Sequence, residues 1–272
     1  MLNETSDRNA GVRESVLEGV RNHLPPLAIN IEAAIGKIEA NWSKKKSRSE
    51  ENWRLLHVPL KNSSDYSKRD LRTSEVLLER TICDQCQKHN LLVWNQMPAA
   101  SGLLPLPPKR SDGKRRVASE GRRAIDLVHR PAGAEDIYEF LELKIQRKNG
   151  SVDSLQHATL EVLEYGLLYL FSRHEKYREK LGYTKLSAEN RYVVLDASEI
   201  RLRVLATEDY YKAQDRINFS VENINTGLEA YIANNRSSFG NLKMNFGFEV
   251  LGSAVEPYEA FIGKSEWQFA KA

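Results

Sequence analysis

Two apolar segments joined by a short turn limit the folds open to this chain more than any other part of its sequence. The segments are Arg123–His129 and Ile137–Gln146, and the turn is Pro131–Gly133. Strand-forming residues on both sides of such a turn predict an antiparallel β-hairpin. In the second strand, β alternation sends successive side chains to opposite faces. One face receives Leu141, Leu143 and Ile145, and the other receives Phe140, Glu142, Lys144 and Gln146.

Further helix and strand patterns surround the hairpin in a regular order. Ser74 or the residue before it can cap a helix that extends to about residue 90, and Leu91–Trp94 is typical of a strand. A long helix is predicted over 151–171, and Arg191–Leu195 is predicted to be another strand. The order helix, three strands, helix, strand predicts an α/β fold with a central sheet and flanking helices.

The sequence divides into three regions. Residues 1–70 hold a predicted pair of helices, Gly11–His23 and Ile29–Trp42, followed by a polar connecting segment. Residues 71–206 contain the hairpin and its neighbours, and form the predicted core. Residues 207–272 form a C-terminal α/β extension, with two weaker helical patterns and a strand at Met244–Val250.

Composition and hydropathy favour a globular cytoplasmic protein. Hydrophobic residues make up 41% of the chain, which is enough for a packed core. The longest apolar run, Leu167–Phe171, is far shorter than the roughly 20 residues that cross a bilayer, and the N-terminus is polar and acidic. We therefore expect neither a membrane segment nor a secretory signal.

Basic residues are concentrated in one stretch, Lys109–Arg123. The formal net charge of the whole chain is only +3, which does not identify a nucleic-acid-binding protein. The stretch, however, holds seven basic residues against two acidic ones: Lys109, Arg110, Lys114, Arg115, Arg116, Arg122 and Arg123. Such a cluster can neutralise the phosphates of a nucleic acid, although a solvated loop is the simpler alternative.

Each strand of the hairpin carries a carboxylate among apolar residues. Asp126 lies between Ile125 and Leu127, and Glu142 lies on the polar face of the next strand. If the strands are neighbours, these two carboxylates converge and repel each other unless a cation lies between them. Carboxylate and water ligands suit Mg²⁺ or Mn²⁺. Lys144, beside Glu142, could orient or deprotonate a water molecule, or stabilise charge on a phosphate.

In these residues the chain resembles the PD-(D/E)XK nuclease superfamily, whose pattern is an Asp on one strand and E-x-K on the next. The match is Asp126 followed by Glu142-Leu143-Lys144, although Ile125 replaces the Pro that often precedes the Asp. The resemblance implies a restriction-endonuclease-like core over under half of the chain. It also implies that Asp126, Glu142 and the Leu143 carbonyl bind the metal and that Lys144 assists the attacking water.

The resemblance suggests additional site residues. The family often adds a Glu from the first helix, and Glu75 and Glu79 lie on the apolar stripe of that helix, so both are expected to face the sheet. Gln146 and Gln156 resemble positions where the family often carries polar site residues. The alternative is that Glu142 and Lys144 belong to an ordinary solvated strand face with a cross-strand ion pair.

Other reactive residues have simpler explanations. Cys83 and Cys86 form a C-x-x-C pair inside a predicted helix, where core packing is favoured over a zinc site. His129 is expected to be a surface histidine at a strand end, with an auxiliary proton donor as the alternative. Tyr165 is expected to lie in the core.

The sequence thus predicts a Mg²⁺- or Mn²⁺-dependent endonuclease that hydrolyses phosphodiester bonds, with double-stranded DNA as the expected substrate and RNA as the alternative. Two other classes stay open. One is a non-catalytic nucleic-acid-binding protein of the same fold, and the other is a structural or protein-interaction subunit. Both a monomer and a homodimer are compatible with the pattern.

Overall fold

A computed structural model describes most of the chain between residues 27 and 269. The described ranges are 27–45, 51–60, 74–99, 103, 124–146, 154–183, 192–214, 219–253 and 256–269. The predicted helix Gly11–His23 and the basic stretch Lys109–Arg123 lie outside these ranges.

Six strands form one sheet, in which the spatial order equals the chain order. The strands are β1 (Leu92–Pro98), β2 (Ala124–Arg130), β3 (Ile137–Lys144), β4 (Glu199–Ala206), β5 (Lys243–Val250) and β6 (Ser265–Glu266). β1, β2 and β3 are antiparallel neighbours, β4 and β5 run parallel to β3, and β6 pairs antiparallel with β5. The predicted hairpin is therefore confirmed as β2 and β3, and the α/β class as an open mixed sheet flanked by helices. The finer prediction of a restriction-endonuclease-like core stays a prediction.

Helices cover both faces of the sheet. They are α1 (Leu27–Lys45), α2 (Glu75–Lys88), α3 (Leu155–Arg173), α4 (Glu175–Arg178), α5 (Glu208–Lys212), α6 (Val221–Asn234), α7 (Arg236–Phe239) and α8 (Pro257–Ile262). A large apolar cluster unites the sheet with α1, α3 and α6, and a smaller one unites it with α2 and α8. Within the described part of the chain, none of the helices combines the length and apolar character that a membrane span requires.

Serine side chains cap the two helices that flank the hairpin. Ser74 Oγ accepts a hydrogen bond from the backbone N–H of Leu77, as predicted. Ser154 Oγ accepts one from the N–H of His157, so the regular part of α3 begins slightly later than the sequence indicated. Each bond satisfies an N–H group that has no partner within its own helix.

The predicted strand Arg191–Leu195 is wrong. Val193–Asp196 forms a 3₁₀ helix, and the strand is Glu199–Ala206. Val194 and Leu195 are buried in the large cluster without joining the sheet, because Ala197 N–H bonds back to the carbonyl of Val194 and closes a turn. The true strand shows strict alternation of buried and partly exposed residues over its first half.

The C-terminal region completes the sheet. The predicted strand Met244–Val250 is confirmed as β5, which pairs in parallel with β4 along its whole length. The sheet thus continues beyond the predicted boundary at residue 206. β3 and β4 are parallel, and α3 lies between them in the chain, as expected of a crossover connection.

Candidate functional site

The hairpin register brings Asp126 and Glu142 together. Leu127 pairs with Leu141, so the next step along the two strands places Asp126 beside Glu142. Asp126 is half-buried and its Oδ2 accepts a hydrogen bond of 3.0 Å from the Leu143 N–H. Glu142 is buried, with 4% of its surface exposed. The two carboxylates therefore lie side by side in a region with little access to water.

Lys144 lies two residues along β3 and contacts the same cluster. Its Nζ is 2.5 Å from Glu142 Oε1 and 3.1 Å from Glu161 Oε2. Lys144 is also only 4% exposed. The alternative of an ordinary solvated strand face is therefore wrong for Glu142 and Lys144, because both side chains are enclosed under α3.

Helix α3 supplies two groups to the cluster, at positions four residues apart. Glu161 binds Lys144, and the Tyr165 hydroxyl lies 2.8 Å from Glu142 Oε2 and 3.0 Å from the Ala124 carbonyl. Residues four apart share a helix face. Tyr165 belongs to the large core cluster, as expected, and its hydroxyl also holds Glu142. Sequence reasoning missed Glu161.

Helix α2 contributes from the other face of the sheet. Glu79 is 2% exposed, and its Oε2 accepts a hydrogen bond of 2.7 Å from Gln96 Nε2 on β1. Glu75 is half-buried and accepts a bond of 3.4 Å from the Ile145 N–H, just after β3. The expected inward stripe of α2 is confirmed, and Glu79 is the more deeply buried of its two carboxylates.

Three carboxyl groups of the cluster resist ionisation. Burial, reinforced by the charge of Glu79, raises the pKa of Asp126 to about 8, against the opposing effect of Lys144. Burial raises the pKa of Glu79 to about 7, although the Gln96 hydrogen bond opposes this shift. Burial and the charge of Asp126 raise the pKa of Glu142 well above its usual range. Near neutral pH the cluster therefore holds protons that a cation could replace.

Lys144 and Glu161 form the charged pair of the cluster. Burial alone would lower the pKa of Lys144, but the negative charges of Glu142 and Glu161 raise it above its usual value. Burial alone would raise the pKa of Glu161, but a hydrogen bond with His157 and the charge of Lys144 hold it well below its usual range. One lysine thus stands among four carboxyl groups, which leaves an excess of acidic side chains.

The donor atoms fit a hard divalent cation in their chemistry. Carboxylate and carbonyl oxygens are the ligands that Mg²⁺ and Mn²⁺ prefer. The described residues, however, contain no group of three His, Cys, Asp or Glu side chains already arranged to hold a metal ion. Glu142 instead bonds Lys144, and Asp126 bonds the N–H of Leu143, so these oxygens would have to exchange partners when a metal binds.

Other predicted site residues lie around or outside the cluster. Gln146 is half-buried, and its Oε1 has no hydrogen-bond partner within the described ranges. Gln156 lies partly buried on the first turn of α3. His129 Nδ1 bonds Glu139 at 2.7 Å, so it belongs to a different group of charges. The seven basic residues of Lys109–Arg123 fall outside the described ranges.

The two cysteines pack in the core, as expected. Cys83 and Cys86 are buried in the small apolar cluster, and Cys83 Sγ donates to the Val93 carbonyl. Burial raises the pKa of both thiols far above the usual value. Neutral thiols in such surroundings are poor metal ligands and poor nucleophiles.

Comparison of the chain with protein families, curated proteins and solved structures finds no match. The likeness to the PD-(D/E)XK superfamily therefore depends on the residues of this chain alone.

Proposed function

We propose that this protein is a metal-dependent nuclease that hydrolyses phosphodiester bonds, in DNA. The observation that supports the proposal most strongly is the convergence of Asp126, Glu142 and Lys144 with two further carboxyl groups, Glu79 and Glu161. Of these residues, Glu79, Glu142 and Lys144 are almost fully buried, and Asp126 and Glu161 are partly buried. Burying so many acidic groups near one lysine is costly for folding alone. Such perturbed carboxyl groups are typical of functional sites, and here a bound cation could replace the protons that they hold.

Asp126 and Glu142 are the proposed ligands of Mg²⁺ or Mn²⁺, with the Leu143 carbonyl as a further ligand. Glu79 binds the ion directly or through water, and Glu75 holds the end of β3 through the Ile145 N–H. When bound, the ion supplies positive charge for the attacked phosphate and lowers the pKa of a bound water molecule.

Lys144 is proposed to act as a cation that positions water or phosphate. Its pKa is raised, so the ammonium group stays protonated at neutral pH in this arrangement. An ammonium group donates hydrogen bonds and stabilises negative charge, but it does not remove a proton. Glu161 positions Lys144 through the contact of 3.1 Å between them.

The basic residues of Lys109–Arg123 are proposed to bind backbone phosphates. They directly precede β2, the strand that carries Asp126. Contacts to phosphates place a duplex without reading its sequence, and they make affinity fall as salt increases.

Cleavage of supercoiled plasmid and linear duplex in Mg²⁺, Mn²⁺ or EDTA tests the proposal. We expect cutting that depends on metal and is lost in Asp126→Asn and Lys144→Gln. The matched control is Lys264→Gln, because Lys264 also lies between two carboxylates, Glu139 and Glu249, and its side chain is 13% exposed. That variant should cut at the wild-type rate.

The same proteins, tested for binding as well as cleavage, distinguish the nuclease from the other classes of protein. Binding that weakens with salt, without cleavage in either metal, would replace the nuclease by a non-catalytic nucleic-acid-binding protein. Absence of both metal binding and nucleic-acid binding would favour a protein-interaction subunit. Cleavage of RNA but not DNA would correct the substrate alone.

A further inference from the structure

Gln96 has an unusual backbone conformation at the centre of an otherwise regular strand. Its φ is +53°, whereas residues of β-strands have negative φ. Among the described residues, only Trp53 and Asn90 are further non-glycine residues with positive φ. Gly, Asn and Asp adopt this left-handed region most readily, and Gln gains no such advantage.

Gln96 lies opposite the point at which β2 passes from one apolar cluster to the other. The registers Asn95 to Leu127 and Met97 to Ile125 place Gln96 opposite Asp126. Leu127 belongs to the small apolar cluster and Ile125 to the large one. Residues two apart on a regular strand share a face, so the alternation is interrupted beside Asp126.

Neighbouring contacts hold this backbone in place. The side chain of Asn95 makes two hydrogen bonds with the main chain of Val58, of 2.7 and 3.1 Å, and its N–H donates to the Leu56 carbonyl. The segment 51–60 therefore fixes the residue before Gln96. Strained conformations persist where surrounding contacts determine them, and they concentrate at functional sites.

We propose that Gln96 is a positioning residue that aims the Glu79 carboxylate at Asp126 and Glu142. The amide of Gln96 donates a hydrogen bond of 2.7 Å to Glu79 Oε2. The strand registers place Gln96 opposite Asp126, and Asp126 beside Glu142. A hydrogen bond on one carboxylate oxygen fixes the direction of the other oxygen. Glu79 Oε1 is buried and has no hydrogen-bond partner within the described ranges, so it is the oxygen available to a cation.

This inference rests on the proposed function, because it assigns Glu79 to a cation site. Groups that orient a metal ligand typically contribute about 10- to 100-fold to metal affinity. Gln96→Gly keeps the left-handed backbone without strain and removes the side chain that carries the amide. We expect its dissociation constant for Mn²⁺ to rise about tenfold, measured as free Mn²⁺ by electron paramagnetic resonance. The melting temperature should change little, because relief of the backbone strain offsets the lost hydrogen bond.

Asn90→Gly is the matched control. Asn90 has a φ of +59° and follows the C-terminal end of α2, whereas Glu79 lies near the N-terminal end. The same change at this position should leave Mn²⁺ affinity unaltered. Gln96→Asn is a second variant, because Asn tolerates positive φ but has a shorter side chain than Gln. It should weaken Mn²⁺ binding as Gln96→Gly does.

A double variant shows whether Gln96 acts through Glu79. In a Glu79→Gln background, Gln96→Gly should cause no further loss of Mn²⁺ affinity. A Gln96→Gly protein that binds Mn²⁺ as tightly as the wild type, or an additive loss in the double variant, would overturn the inference and leave the proposed function intact. A wild-type protein that binds no Mn²⁺ would overturn both.

Discussion

Glu139 and Glu142 lie three residues apart on β3, and each is almost fully buried, with 3% and 4% of its surface exposed. Burial alone would raise the pKa of both carboxyl groups. At Glu139 the His129 hydrogen bond and the charge of Lys264 outweigh burial and lower the pKa to about 2. At Glu142 the charge of Asp126 adds to burial, and the pKa rises well above its usual range.

The difference in pKa comes from the number of basic side chains that contact each carboxylate on the two faces of the strand. Glu139 contacts His129, Arg201 and Lys264, so basic partners surround it. Glu142 shares one lysine, Lys144, with Glu161. A buried carboxylate with enough basic partners is a structural ion pair, whereas one without them needs a proton or a cation from solution.

The largest loss of stability is expected at Glu139. Glu139→Gln removes the acidic centre of a buried network, and loss of one partner of such a network costs about 3 kcal/mol. The free energy of unfolding in urea at neutral pH should fall by this amount. An unchanged free energy of unfolding would contradict the comparison, because basic partners would then compensate the charge of Glu139 no better than that of Glu142.

An effect of opposite sign is expected at Asp126. Its pKa is raised from 3.8 to about 8 in the folded protein, so the folded state loses stability relative to the unfolded state as pH rises from about 4 to about 8. In EDTA, the stability gain of Asp126→Asn over the wild type should grow across this range and reach at least about 1 kcal/mol near pH 8. A difference in urea unfolding that does not vary with pH would contradict the pKa assignment.

Glu139 gives the reverse pH dependence. Its pKa is lowered from 4.5 to about 2, so its stabilising contribution is complete above about pH 4.5 and is lost as pH falls toward 2. The stability difference between wild type and Glu139→Gln should therefore shrink on acidification. This trend is checked in the same series of urea titrations.

The smallest effect is expected at Tyr165. Tyr165→Phe removes a hydrogen bond to Glu142, which costs about 1 kcal/mol of stability. Cleavage should fall by about tenfold, because Glu142 is then less well oriented. Tyr169→Phe is the control, since that hydroxyl donates to the Val194 carbonyl instead. It should lose similar stability and keep its cleavage rate, and equal activity in the two variants would contradict the role given to Tyr165.

Part of this arrangement could be predicted because it follows from local rules. The turn at Pro131–Gly133 fixes the hairpin register, and alternation then sets Glu142 and Lys144 on one face and places Asp126 beside them. The stripe of α2 likewise identified Glu79. These inferences needed only the period of a strand or a helix.

The remaining residues depend on tertiary geometry. Glu161 lies in a helix that is buried nearly all round, so its sequence does not show which side faces Lys144. Gln96 reaches Glu79 from a left-handed conformation that no strand pattern predicts. The run Val193–Leu195 has strand propensity, yet core packing holds it in a 3₁₀ turn, and β4 begins after it.

Cleavage by Glu142→Gln and Glu139→Gln, on one plasmid substrate with Mn²⁺, tests the central claim most directly. The two variants make the same chemical change on the same strand, at residues of nearly equal burial. Glu142→Gln should still fold. It should cut at least about 1,000-fold more slowly than the wild type, because several kcal/mol of transition-state stabilisation are lost. Glu139→Gln should cut at the wild-type rate below its melting temperature. A folded Glu142→Gln protein with wild-type cleavage would contradict the claim that this carboxylate cluster is the active site.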